Sequence, residues 1–232
     1  MSTMYERMLQ LPIFQGLGYE QLTEIIEKIP FSFHRYAAGE TIHMAGELCD
    51  CVLFVLNGIV QQETPTFGGR INIVQEFSGP HTLSFYYLFG AETRSISTLK
   101  AVDRVGIMQV EKTHFLKMLQ KNSVMLVNVM NMLSTHAQKQ HVAMEFTGQN
   151  DPTLRLASWL LAFTDRKALH TTIVTNCEAW QSLLRVNESS FWRCVSVLEG
   201  RGCIESSGNG ILKMTDRYAL RRYVGEKTLP KW

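Results

Sequence analysis

Hydrophobic positions change their period three times along the chain. Residues 5 to 29 place Met8, Leu9, Leu11, Ile13, Phe14, Leu17, Leu22, Ile25 and Ile26 at helical spacing, interrupted at Pro12 and Gly16. This predicts two short amphipathic helices capping a larger core. From Phe31 to Ile107, short apolar runs alternate with turn signals at Gly39-Glu40, Gly46-Glu47, Asn57-Gly58, Gly68-Gly69 and Ser78-Gly79-Pro80, which predicts a β-barrel or β-roll. Its clearest piece is Val52-Leu53-Phe54-Val55-Leu56 running into Asn57-Gly58, a buried strand entering a tight hairpin. After Glu111 the period is helical again. Between residues 122 and about 147, Leu126, Met130, Leu133, Ala137, Gln140 and Met144 recur at spacings of four and three, a dimerisation-type seam that an ordinary helix packed on its own domain would also show. Thr147-Gly148-Gln149-Asn150-Asp151-Pro152 then breaks the helix and predicts a hinge.

Beyond the hinge, residues 176 to 214 read as two short helices sharing one apolar seam, followed by a two-stranded wing. Trp180, Leu183 and Leu184 repeat at helical spacing, Val186 plugs the turn, and Asn187 is suited to cap a second helix running to about Gly200. Phe191, Val195 and Leu198 put that helix on the seam and leave Glu188, Ser189, Ser190, Trp192, Arg193 and Ser196 on other faces or at its N-terminal end. Such an end is what a recognition helix inserts into the major groove. Ser189, Ser190 and Arg193 are the candidate base readers, because a guanidinium one turn into the helix can grip guanine in a bidentate contact. Asn187 belongs to the same end, and Glu188 is a candidate acceptor from cytosine. Ser206, Ser207, Asn209 and Lys213 in the wing are candidates for phosphate contact. Trp192 is expected to pack under the wing rather than stack on DNA.

Charge supports this division. Residues 1 to 150 carry 11 Lys/Arg against 13 Asp/Glu, and residues 151 to 232 carry 12 against 8, so a modestly basic module follows a slightly acidic one. The longest apolar runs are too short to span a bilayer and the N-terminus lacks the pattern of a secretory signal, which predicts a cytoplasmic protein with no membrane role. Cys49, Cys51, Cys177, Cys194 and Cys203 form an odd set without Cys-x-x-Cys spacing. They are expected to be buried free thiols rather than a disulfide framework or a zinc site. The first 48 residues hold no cysteine for an iron–sulfur cluster, and seven scattered histidines, His81, His136 and His141 among them, give only a weak case for haem. No metal or cofactor is therefore expected. Nucleophile, phosphate-loop and zinc-protease motifs are absent, which predicts a non-enzyme.

Taken in order, these parts resemble the catabolite-activator/FNR superfamily of bacterial transcription regulators over nearly the full chain. The resemblance rests on Ala38-Gly39-Glu40-Thr41-Ile42, Ala45-Gly46-Glu47 and the Val52 to Gly58 run, which are similar to the turn and strand motifs of a cyclic-nucleotide-binding β-roll. It rests also on Asp151-Pro152-Thr153-Leu154-Arg155-Leu156-Ala157 and on Asn187-Glu188-Ser189-Ser190-Phe191-Trp192-Arg193. It implies an α+β chain with a cyclic-nucleotide-binding-like double-stranded β-helix sensor over residues 1–118, a dimerisation helix over 119–149 and a winged helix-turn-helix over 150–232. It further implies a homodimer seamed by Leu126, Met130, Leu133, Ala137 and Met144, bound to a pseudo-palindrome of double-stranded DNA. RNA polymerase and a small-molecule effector are the other partners it implies.

The effector site departs from the family's pattern. Where the resemblance implies a Gly-Glu pair for the ribose, this chain has Ser84 and Phe85, followed by Tyr86. Arg94-Ser95 remains where an Arg-Ser pair would meet the cyclic phosphate, with Arg94 or Ser95 in the arginine's place according to alignment. Gln140 and His141 lie where the long helix contributes ligand contacts. Phenylalanine in place of a carboxylate removes the ribose acceptor, and each polar ligand group left unpaired costs about 1–3 kcal/mol. The expectation is a pocket filled by its own side chains, or one that takes a ligand other than cyclic AMP. The competing reading of the whole chain is a ligand-binding interaction module whose winged helix contacts protein rather than DNA.

Overall fold

A computed structural model of the chain describes residues 3–83, 85–146 and 149–227, with the backbone alone for 142–146 and 226–227. In chain order the elements are α1 (Met4–Gln10), α2 (Tyr19–Lys28), β1 (Ser32–Tyr36), β2 (Thr41–His43), β3 (Cys51–Asn57), β4 (Ile59–Thr66), β5 (Ile71–Ser78), β6 (His81–Leu83), β7 (Thr98–Ala101), β8 (Val105–Glu111), α3 (Lys112–Lys121) and α4 (Ser123–Phe146). There follow α5 (Pro152–Phe163), β9 (His170–Val174), α6 (Cys177–Leu184), α7 (Glu188–Gly200), β10 (Ile204–Ser206), β11 (Leu212–Met214) and α8 (Arg217–Lys227). The chain is thus mixed α+β. It divides into two compact units, Met1–Gln62 with Phe77–His136, and Glu63–Glu76 with Ala137–Trp232.

In the first unit β3 is buried on both faces from Val52 to Leu56, as its unbroken apolar run requires. It pairs antiparallel with β8 and β6, and β8 pairs with β1. Gly58 holds a positive φ of 85° at the end of β3. A Cβ there would lie 2.6 Å from the Arg104 carbonyl oxygen, so glycine is required on both counts. Phe14, Leu22, Val52, Phe54, Phe85, Met108, Phe115, Met125 and Val129 share one core. The N-terminal helices cap it, held in place by Asn128 of α4, whose Nδ2 donates to the Ile13 and Gln15 carbonyls at 3.1 and 2.8 Å.

The long helical stretch is broken once. Asn122 leaves the helical region with φ −131° and ψ 104°, and its Oδ1 accepts from the Met125 amide at 3.1 Å, capping α4. The seam stripe alone did not reveal this interruption. Met125 and Val129 bury one face of α4 in its own unit, while Leu126, Val127, Met130 and Leu133 stand 41–57% exposed. Ala137 is exposed as well, and the side chain of Met144 lies outside the described residues.

The second unit builds its core from Leu154, Leu160, Trp180, Leu184, Phe191, Val195, Leu198, Leu212 and Tyr223. Asp151 caps α5 through the Thr153 and Leu154 amides. Asn176 caps α6, and its Oδ1 accepts from Ala179 at 2.9 Å. Ile71 and Ile73 from β5 belong to the same core, and the strand order in this unit is β10-β11-β9-β5.

Candidate nucleic-acid interface and sensor site

Helices α6 and α7 are joined by Arg185, Val186 and Asn187, a three-residue turn made possible by the left-handed conformation of Arg185, φ 52°. Phe191, Val195 and Leu198 bury the inner face of α7 against Trp180 and Leu184. That packing leaves its N-terminal end outward. Asn187 caps the helix, its Oδ1 accepting from the Ser190 amide at 2.9 Å and from the Ser189 hydroxyl at 3.1 Å. Asn187, Glu188, Ser189 and Arg193 are exposed and Ser190 is half-buried, so the candidate base readers share one accessible end of one helix. The helix dipole makes that end favourable to phosphate.

Strands β10 and β11 form a short hairpin beside α7, with Glu205 opposite Lys213. Glu199 of α7 ties the hairpin down, its Oε1 accepting from the Ser206 amide at 2.7 Å. Trp180 Nε1 donates to the Gly210 carbonyl at 2.6 Å from inside the core. Gly210 has φ 89°, and a Cβ there would come within 2.6 Å of the Asn176 carbonyl carbon. Ser207, Asn209 and Lys213 are exposed along this hairpin, and Ser206 is half-buried with its hydroxyl accepting from the Gly208 amide at 3.3 Å. The Trp192 ring lies 5.1 Å from that of Phe191 and packs against the second core, while its Nε1 donates to Glu188 Oε1 at 3.4 Å. This contact holds part of the Glu188 carboxylate. Arg155 was not singled out in the sequence, yet its guanidinium donates to the Gln149 and Leu184 carbonyls and ties the start of α5 to the end of α6. Nothing in the sequence around Arg155 names those two acceptors.

In the first unit, Phe85–Tyr87 form a single 3-10 turn. Phe85 is 5% exposed and part of the core. Tyr86 lies between its ring, 4.4 Å away, and the His136 imidazole of α4, on which it stacks at 4.0 Å and 18°. Burial pushes the Tyr87 phenol above its ordinary pKa. Arg94 is exposed and donates from Nη1 to the Gly46 carbonyl at 2.8 Å. Ser95 is 2% exposed, and its hydroxyl closes a turn, donating to the Ser97 carbonyl at 2.8 Å and accepting from the Ser97 amide at 3.1 Å. Ser84 lies outside the described residues. Gln140 and His141 fall in the second unit, half-buried and exposed respectively, whereas Phe85, Tyr86, Arg94 and Ser95 fall in the first.

All five cysteines are free thiols. Burial, with Asp50 beside it, pushes Cys51 up to about 12, and burial also raises Cys49, Cys177 and Cys203. Cys49, Cys194 and Cys203 are buried as expected, whereas Cys51 and Cys177 are half-buried; a raised thiol pKa favours the protonated, less nucleophilic form. No described helix is long and apolar enough to cross a membrane.

Residues 33–122 match the family model of the cyclic nucleotide-binding domain. No curated protein matches the sequence. Among solved structures, the Thermus thermophilus catabolite activator protein is similar over 94% of this chain and 100% of its own, at 15% identity and a TM-score of 0.53. FixK2 from Bradyrhizobium japonicum is similar over 84% of this chain and 97% of its own, at 16% identity and a TM-score of 0.48. DNR from Pseudomonas aeruginosa is similar over 94% and 96%, at 18% and 0.45. Residues 33–122 thus resemble a cyclic nucleotide-binding domain, and the chain shares the fold of the Thermus thermophilus catabolite activator protein.

Proposed function

We propose that the chain is a cytoplasmic, non-enzymatic transcription regulator that binds double-stranded DNA as a homodimer through a winged helix-turn-helix formed by α6, α7, β10 and β11. The observation that carries this reading is the outward N-terminal end of α7, where Asn187, Ser189, Ser190 and Arg193 are accessible together beside a short hairpin bearing Ser207, Asn209 and Lys213. Arg193 reads a base edge, and the hairpin holds the phosphate backbone. The exposed stripe of Leu126, Met130 and Leu133 on α4 is the dimer seam, because three large apolar side chains at heptad-like spacing gain most by meeting a second copy.

The sensor residues do not fit a cyclic nucleotide. The 3-10 turn offers no carboxylate to the ribose, Phe85 is spent on the core, and Arg94 and Ser95 are engaged with the Gly46 and Ser97 carbonyls. The Tyr86 ring stacked on His136 ties the turn to the long helix with side chains alone. The protein therefore binds its operator without added nucleotide. Selection of sites from random duplex DNA tests the reading: enrichment of two inverted half-sites about one helical turn apart supports it. Enrichment of no sequence, alongside salt-insensitive capture of a protein partner, favours the interaction-module reading.

A further inference from the structure

We propose that residues 63–76, the end of the β4–β5 hairpin, act as a strap that positions the β10–β11 wing for DNA. This inference rests on the proposed reading of that wing as a DNA contact.

Strand β9 stands between β5 and the wing. It pairs with β11 at only two positions, Ile173↔Leu212 and Thr172↔Lys213, but with β5 at five, from Asn72↔Val174 to Glu76↔His170. The strand supporting the wing is thus held chiefly from its other edge. The same segment closes both ends of the pairing, with the Leu169 amide donating to the Glu76 carbonyl at 2.8 Å and the Thr175 hydroxyl to the Arg70 carbonyl at 2.7 Å. Within the pairing, Gln75 and Thr171 are 7% and 4% exposed, and Gln75 Nε2 donates to Thr171 Oγ1 at 3.2 Å. A buried polar pair of this kind fixes register, because a slip by one residue would leave both groups unpaired and turn every side chain to the wrong face.

Alternation along β5 explains why the strap docks. Ile71 and Ile73 are 0% and 3% exposed and lie in one core with Trp180, Phe191 and Leu212, the residues that back α7 and the wing. Phe67 packs on that core too, beneath the Arg70 guanidinium, whose carbon stands 4.3 Å from the ring centroid. Ile71 and Ile73 therefore belong to the same unit as the candidate DNA contacts. Without them β9 would show a bare edge, and the two residue pairs that join it to β11 would lose their support.

Gln75→Ala is a mild disruption of the strap and Val74→Pro a severe one, since proline removes a ladder amide. The first readout is native-state hydrogen exchange of the full chain without DNA. Exchange at residues 170–174 and 204–214 should rise about tenfold in Gln75→Ala and further in Val74→Pro, with β3 and the N-terminal turn of α7 unchanged in Gln75→Ala. The second is operator affinity against salt. A displaced wing should weaken binding about tenfold and lower the salt slope by about one for each phosphate that the wing no longer neutralises. Parental exchange at the wing in both variants overturns the proposal. So does equal acceleration of α7 and the wing in Gln75→Ala, which would make the strap a general core element. If the parent protein binds no DNA, the reading of the wing fails, and the exchange experiment still decides whether the strap holds it.

Discussion

Replacing Trp180 by Phe asks whether the wing is anchored from within the core. The indole is fully buried, meets Trp159 edge-on at 5.2 Å and Phe191 face-on at 6.0 Å, and donates to the Gly210 carbonyl at 2.6 Å. Phenylalanine keeps an aromatic ring at this place but leaves the carbonyl without a donor, which costs about 1–3 kcal/mol. It also vacates roughly 40 Å³, a further cost of about 1 kcal/mol at the usual rate for core cavities. The sum is about 2–4 kcal/mol, or roughly 10–20 °C in the midpoint of a unit of this size. Thermal unfolding of the full chain followed by circular dichroism reads the shift, and hydrogen exchange at Ile211 and Leu212 reads the loosened wing. A destabilisation below about 1 kcal/mol with parental wing exchange would refute the anchoring role of this hydrogen bond.

Three further outcomes are expected. Arg193→Ala should weaken specific operator binding by about 1–3 kcal/mol while leaving the unfolding midpoint in place, because the side chain is exposed; unchanged affinity removes Arg193 from the readers. Met130→Asp puts a charge on a residue 57% exposed in the chain alone, so sedimentation should show a shift towards monomer at preserved secondary structure, and an unaltered dimer would contradict the seam. For Cys51, raised to about 12 in the fold, the folded state holds a proton that the unfolded chain gives up near 9; stability from this group is complete below that pH and is lost as pH rises towards 12. Iodoacetamide at pH 8 should accordingly label Cys51 slowly until the protein is unfolded, and labelling of the native protein at Cys51 as fast as in the unfolded chain would contradict its raised pKa.

Local chemistry made much of this structure legible in the sequence. Asn187 announces a helix start because a short side-chain oxygen before an apolar period has one favoured use, and Asn57-Gly58 announces a hairpin because glycine is required there. The inward face of α7 followed from the spacing of Phe191, Val195 and Leu198. What remained hidden depends on partners distant in sequence. The alternation of Ile71, Ile73, Gln75 and Phe77 tells that β5 buries one face, but not that Ile71 and Ile73 enter the core of Trp180 some hundred residues on. The Tyr86–His136 stack is of the same kind, an aromatic contact between a turn and a helix that no period encodes. The break at Asn122 was masked because apolar residues continue in helical register on both sides of it.

Operator affinity of the purified protein, measured with and without cyclic AMP at two salt concentrations, tests the central claim most directly. The account predicts sequence-specific binding without nucleotide, weakening steeply with salt and unaltered by cyclic AMP. Binding that appears only with the nucleotide would contradict the reading of Phe85, Tyr86, Arg94 and Ser95, and no binding in either condition would contradict the assignment of α7 to DNA.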